Sequence, residues 1–176
     1  MVRSVPLPGM PVGSSINALT DAELSGLARR LDRRTVKTDG CWLWTGAISS
    51  PDGYGRISVR HDGEEMTLSC HRAAMIVAGA ELLAGDVLEH HCNEPLCVRV
   101  ADDHVHISTQ SQNMAYAVSC GRAAGPRSVV GSDRRVERSR AVRDLARSGF
   151  DVGEYDRIAR KFGGADRGDD DQLSLW

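Results

Sequence analysis

The stretch EHHCNEPLCVRVADDHVHISTQSQN, Glu89 to Asn113, decides how the chain is read. It holds two cysteines and four histidines, with few large apolar side chains. Cys92 and Cys97 stand five apart, and His104 follows seven beyond Cys97. Structural zinc takes four Cys or His ligands in a tetrahedron. Three come from this one loop, so the fourth must come from elsewhere, and Cys41 and Cys70 are the candidates. Buried cysteines often act only as small hydrophobes. A Cys–Cys–His cluster in an Asp-bearing loop is poor core material, however, and the sequence favours metal. Zinc binding on the order of 10 kcal/mol in small peptides would hold together a loop with few apolar contacts.

Outward from that loop, the composition agrees with a stapled core. The chain has 176 residues, of which 41% are hydrophobic and only 5% aromatic. That is enough for one domain with tails, thin in large side chains, and helped by a metal. Five cysteines in a chain expected to stay in the cytoplasm argue for ligation over disulfides. No apolar run is long enough to span a membrane, and the N-terminal MVRSVPLPGMPVGSS has no apolar signal core. The net charge of −2 announces no polyanionic partner, but its distribution does. Between Arg122 and Arg167 there are 12 Lys and Arg, 11 of them Arg, against 7 Asp and Glu. Arginine suits bidentate phosphate contacts.

The expected order is α+β. Residues 1–19, rich in Pro, Gly and Ser, read as a disordered segment. Thr20 and Glu23 form a capping box that opens a helix over 21–33, with Leu24, Leu27, Ala28 and Leu31 on one face. Residues 41–70 alternate as strands joined by SPDGYG and HDGEE turns, with Trp42 and Trp44 in the hairpin core. His71 starts a helix running to Gly79 and packs or caps rather than ligates; His61 sits in an exposed turn. A strand into the metal-rich loop and a helix over 109–119 complete a domain over residues 20–119. His106 is expected on the opposite face from Val105 and Ile107, and Cys120 as a spare thiol. Residues 120–132 read as a linker, 133–164 as a basic helical segment resembling part of a helix-turn-helix, and 165–176 as an acidic tail.

The residues left over by zinc carry the chemistry. His90 and His91 precede Cys92, and Asn113 lies on the helix after the loop. A neutral imidazole with a pKa near 6.5 takes a proton from water at neutral pH. An oxygen-bound Mg²⁺ would neutralise a phosphodiester, and Asn offers a hard oxygen without added negative charge.

In their order, GCWLWTG, GYGRI, CHRAAM, EHHCNEPLCV, DHVHIST and QSQNM resemble phage-type HNH endonucleases of the His-Me finger (ββα-metal) superfamily, which are similar here to His-Cys box homing endonucleases. The resemblance covers about residues 20–117. It implies a zinc-stabilised ββα-metal core between an N-terminal helix and C-terminal basic helices. It implies His90 as general base, Asn113 as ligand of a catalytic Mg²⁺ or Mn²⁺, and Glu89 as a further ligand. Cys92, Cys97 and His104 would hold structural zinc, with Cys41 as the fourth ligand. Arg56, Arg60 or Arg72 would brace the DNA, and double-strand cutting would call for a homodimer. The chain departs from the family at CVRVADDH, where relatives read Cys-Val-Asn-Pro-x-His. The lost Asn and Pro would slacken the loop behind His90, and His91 stands beside it as a possible substitute. The expected function is thus a metal-dependent DNA endonuclease. The alternatives are a catalytically weakened DNA-binding or regulatory protein of the same fold, and an RNase.

Overall fold

A computed structural model describes residues 19–83, 85–120 and 129–163, the side chains of 129–133 and 163 excepted. The expected N-terminal segment up to residue 18, the acidic tail and linker residues 121–128 lie outside the described residues. The architecture is mixed α+β, with small antiparallel sheets and five helices among the described residues.

Helix α1 (Asp21–Arg33) opens on the expected capping box. Thr20 N–H donates to Glu23 Oε2 at 2.8 Å, while the Thr20 hydroxyl accepts from Glu23 N–H at 3.3 Å. Leu27 and Leu31 bury its inner face. Strand β1 (Thr35–Lys37), too short to register as a sequence pattern, pairs with β2 (Trp42–Trp44). Strands β3 (Ala47–Ile48), β4 (Gly55–His61) and β5 (Glu64–Ser69) form the second sheet. Along β4, Gly55, Ile57, Val59 and His61 are buried, whereas Arg56, Ser58 and Arg60 point away from the core. Helix α2 (Cys70–Val77) returns over that sheet and packs on α1.

Trp44 is the largest fully buried side chain, with Nε1–H donating to Ala47 O at 2.9 Å. Gly46 and Gly55 exist to let its indole in. A Cβ at Gly55 would lie 2.5 Å from Trp44 Cδ1, and one at Gly46 would lie 2.3 Å from Cζ2. Trp42 departs from its expected core position: it is 38% exposed, with the Lys37 ammonium 5.0 Å from its ring centre. His61 departs the other way. It is 9% exposed because its Nδ1 meets Glu23 Oε2 at 3.1 Å, tying β4 to α1.

Strand β6 (Val87–His90) pairs with β7 (Val105–Ser108), and helix α3 (Gln110–Ser119) follows under a second capping box, Thr109 with Gln112. The loop between β6 and β7 is not left to itself. Trp44 N–H donates to Leu96 O and Val98 N–H to Trp42 O, both at 2.8 Å, so the loop adds a short strand beside β2.

Helices α4 (Val129–Ser148) and α5 (Val152–Gly163) pack on each other, and α4 packs on β2 and β3. Residues 129–132, expected in the linker, already belong to α4. Val136, Val142, Ala146 and Ile158 are buried, so these basic helices are joined to the core. The junction is polar at its centre. Glu94, fully buried in the β6–β7 loop, accepts from Leu96 N–H at 3.1 Å, Arg138 Nη2 at 2.8 Å and the Tyr155 hydroxyl at 2.9 Å. Burial alone would lower the Arg138 pKa, but the charges and hydrogen bonds of Glu94 and Tyr155 together outweigh it and hold the guanidinium above its ordinary value. Burial and the same carboxylate push the Tyr155 phenol up.

Candidate metal centre and active site

Cys41, Cys92, Cys97 and His104 converge, their ligand atoms all within 4.8 Å of one another. His104 Nδ1 lies 3.6 Å from Cys97 Sγ and 3.7 Å from Cys41 Sγ. Three thiols and an imidazole are a soft donor set suited to zinc, so the cluster could hold such an ion. Of the two candidates for the fourth ligand, the geometry selects Cys41. Cys70 is buried at the start of α2 beside Trp44 and Gly55, outside the cluster, with its thiol pushed up by burial.

The placement of Cys41 follows from backbone pairing. Antiparallel alignment of Leu43 with Cys97 draws the residue before β2 toward the loop. The guanidinium of Arg99 then clamps the approach, its Nη1 donating to Gly40 O at 2.7 Å and Asp39 O at 3.0 Å. Thr38 closes the turn, its hydroxyl donating to Cys41 O at 2.8 Å. Arg99 is one of the residues by which CVRVADDH departs from the pattern of the endonucleases it resembles. Sequence reading missed its role because the clamp spans 59 positions of chain.

The three thiols are shifted unequally, Cys92 down and Cys41 and Cys97 up. The backbone at Glu94 acts to lower the Cys92 thiol, and that at Arg99 to lower Cys97. Hydrogen bonds from Cys41 and Cys97 pull the Cys92 thiol down, while Cys41 is pushed up, chiefly through its bond to Cys92. Three crowded thiols share their protons in this way until a cation replaces them. Asp103 Oδ2 stands 3.5 Å from His104 Nε2, on the side away from the sulfurs, as an orienting carboxylate does.

His90, the expected base, lies 8% exposed at the end of β6. Its Nε2–H donates to Cys97 O at 3.1 Å, which assigns the proton to Nε2 and the basic lone pair to Nδ1 in the neutral ring. Tyr54 stacks on it at 5.6 Å between centroids, and His71 meets it edge-on at 4.7 Å. Burial holds the His71 pKa well below the ordinary imidazole range, with the charges of His90, Arg72 and Arg56 acting the same way. His71 therefore packs as a neutral ring, its Nε2 3.3 Å from Ser69 Oγ.

Neighbouring residues of β6 face opposite ways. Glu89 pairs with His106 in register, and His90 with Val105. Glu89, His91 and His106 form a second cluster, with ligand atoms again within 4.8 Å. His91 stacks on Tyr116 of α3 at 4.1 Å, and the Tyr116 hydroxyl donates to His91 O at 2.6 Å. Asn113, half-buried one turn before Tyr116 on α3, shares that helix face. The structure thus brings Glu89 and the Asn113 helix to one side of β6, and sets the His90 ring among Tyr54 and His71.

The three arginines differ. Arg56 is held by Asp52 at 2.6 Å, and its charge reaches His71. Half-buried Arg72 donates from Nη2 to Asp86 O at 3.3 Å, and burial lowers its pKa. Arg60 is exposed opposite Glu65 near the far end of β4.

Against known proteins, the chain is similar to Protein 2.8 of Escherichia phage T7, with 32% identity over 93 residues. That match takes in 53% of this chain and spans 60% of the phage protein's length. No family model matches, and no solved structure matches. No helix among the described residues is long and apolar enough to cross a membrane.

Proposed function

We propose that the protein is a DNA endonuclease of the HNH, or His-Me finger, type, with structural zinc in the Cys41–Cys92–Cys97–His104 cluster and β6, β7 and α3 as its ββα-metal unit. One observation carries the reading. The carbonyl of Cys97, a zinc-cluster residue, accepts from His90 Nε2, so the clamp that holds the metal also fixes the tautomer of the base. In this reading His90 Nδ1 takes the proton of a water that attacks phosphorus in line. The P–O3′ bond breaks, leaving a 5′-phosphate and a 3′-oxygen that gains a proton from solvent. Glu89 and Asn113 would hold a divalent cation by oxygen. When bound, such an ion, Mg²⁺ or Mn²⁺, supplies charge neutralisation at the phosphate and the departing oxygen. Exposed arginines on α4 and α5, including Arg140 and Arg160, would give affinity through phosphates rather than sequence choice. The likeness to a phage protein fits action in a phage-infected host cell, and a homodimer would place two such sites for double-strand cutting.

A specific observation favours a second reading, a DNA-binding protein with weakened catalysis. The His90 ring is nearly buried, and Glu89 projects from the other face of β6. Plasmid nicking separates the two. Zinc-loaded protein with Mg²⁺ or Mn²⁺ should convert supercoiled DNA to nicked circles. His90→Ala and Asn113→Ala should each lower the rate at least about 100-fold, the usual scale of a lost general base. DNA binding without metal-dependent nicking would establish the second reading, and cutting of RNA alone would replace the substrate.

A further inference from the structure

We infer that Glu89, His91 and His106 form a nitrogen-rich cation site that selects Mn²⁺ and later transition ions over Mg²⁺. The inference rests on the proposed catalytic site only in placing its ion there, and it changes that ion's identity.

Three observations point to a ligand. Glu89 Oε1, on a side chain only 3% exposed, is buried without a hydrogen-bond partner and lies 3.6 Å from His91 Nε2. The Nδ1 of His106 is likewise buried without a partner. Buried polar atoms without a partner, here on two residues of one cluster, are costly unless something satisfies them. The rings of His91 and His106 also meet edge-on at 4.7 Å, held by different means. β7 pairing sets His106 opposite Glu89, and Tyr116 stacking holds His91. An imidazole fixed from outside the cluster can offer its nitrogen without rearrangement.

The donor set determines the preference. Mg²⁺ takes oxygen ligands and keeps much of its water, so two imidazoles contribute little to it. Imidazole nitrogen suits the first-row transition ions, and affinity rises from Mn²⁺ through Co²⁺ and Ni²⁺. A carboxylate and two imidazoles make a mixed N/O site, unlike the thiol-rich Cys41–Cys92–Cys97–His104 cluster. The two centres should therefore load separately, zinc on sulfur and a second ion here.

The test uses the full chain carrying one zinc. Mn²⁺ is titrated and read by the loss of the aqueous Mn²⁺ electron paramagnetic resonance signal, with Mg²⁺ as competitor. One Mn²⁺ per chain should bind at least about tenfold more tightly than Mg²⁺. His91→Ala with His106→Ala should remove most of that preference while zinc content stays at one per chain. Because those changes could disturb folding, nitrogen hyperfine coupling to bound Mn²⁺ in the unaltered protein is a second readout, and imidazole nitrogen should appear. Equal displacement by Mg²⁺, or Mn²⁺ bound without nitrogen coupling, overturns the inference. Selective Mn²⁺ binding in a protein that never cuts DNA would leave this site standing and remove the nuclease proposal. Cutting by a protein that binds Mg²⁺ as well as Mn²⁺ would do the reverse.

Discussion

Replacing Glu94 should damage the protein more than any exposed change, because this one carboxylate joins the metal loop to both C-terminal helices. Its oxygens accept from Leu96 N–H, Arg138 and Tyr155, and it has no exposure to water. Glu94→Ala leaves a guanidinium, a phenol and a backbone N–H without their acceptor. Breaking a buried ion pair from one side costs about 3–5 kcal/mol. The Arg138 side chain keeps 18% of its exposure and can recover some hydration, which puts the expected loss near the lower end, about 3 kcal/mol. Glu94→Gln keeps the shape and an acceptor but not the charge, and should cost about 2 kcal/mol. Urea unfolding, followed by circular dichroism and tryptophan fluorescence at a buffered zinc concentration, measures both. With a slope of about 2 kcal/mol per molar, the Ala variant should lose about 1.5 M in midpoint. Replacing both charges with apolar residues, Glu94→Leu with Arg138→Met, should recover much of the loss, since no charge is then left buried without a partner. An Ala variant within about 1 kcal/mol of the parent, or a double variant as unstable as the two single losses added, would refute this account of the junction.

Gly55→Ala should destabilise by about 1–3 kcal/mol in the same assay, because its methyl group would overlap the Trp44 indole; an unchanged midpoint would show that the ring has room to shift. Thr109→Ala should cost about 1 kcal/mol by removing the cap of α3. Amide exchange should quicken at Gln112, whose N–H donates to the Thr109 hydroxyl, and unaltered protection there would count against a working capping box.

Local signals in the sequence were enough for α1, the β4–β5 hairpin and α3, since each carries its own caps, alternation or turns. Cys92, Cys97 and His104 were legible together because one short loop supplies all three. Spacing left Cys41 and Cys70 both open, and only the resemblance pointed to Cys41, in agreement with the cluster. The placement of Cys41 itself depends on β2 pairing with residues 96–98 and on Arg99 reaching back to Gly40, contacts that no local pattern records. Trp42 and Trp44 stand two apart and share a strand face, yet two glycines make room only for the Trp44 indole. His61 looked exposed because its turn did, while its partner Glu23 lies 38 positions away. The basic helices read as a separate DNA-contact segment because Glu94, which anchors them, sits amid the metal loop. His106 was expected to face away from Val105, but its meeting with Glu89 and His91 needed the β6–β7 register.

X-ray absorption at the zinc edge of the purified protein, with metal content measured alongside, addresses the claim on which the site rests: that Cys41 completes a zinc site with the β6–β7 loop. The account predicts one zinc on sulfur per chain, with three sulfurs at about 2.3 Å and one nitrogen at about 2.0 Å, and a two-sulfur shell or lost zinc in Cys41→Ser. A parent protein without zinc, or one whose zinc shell is unchanged by Cys41→Ser, would contradict it.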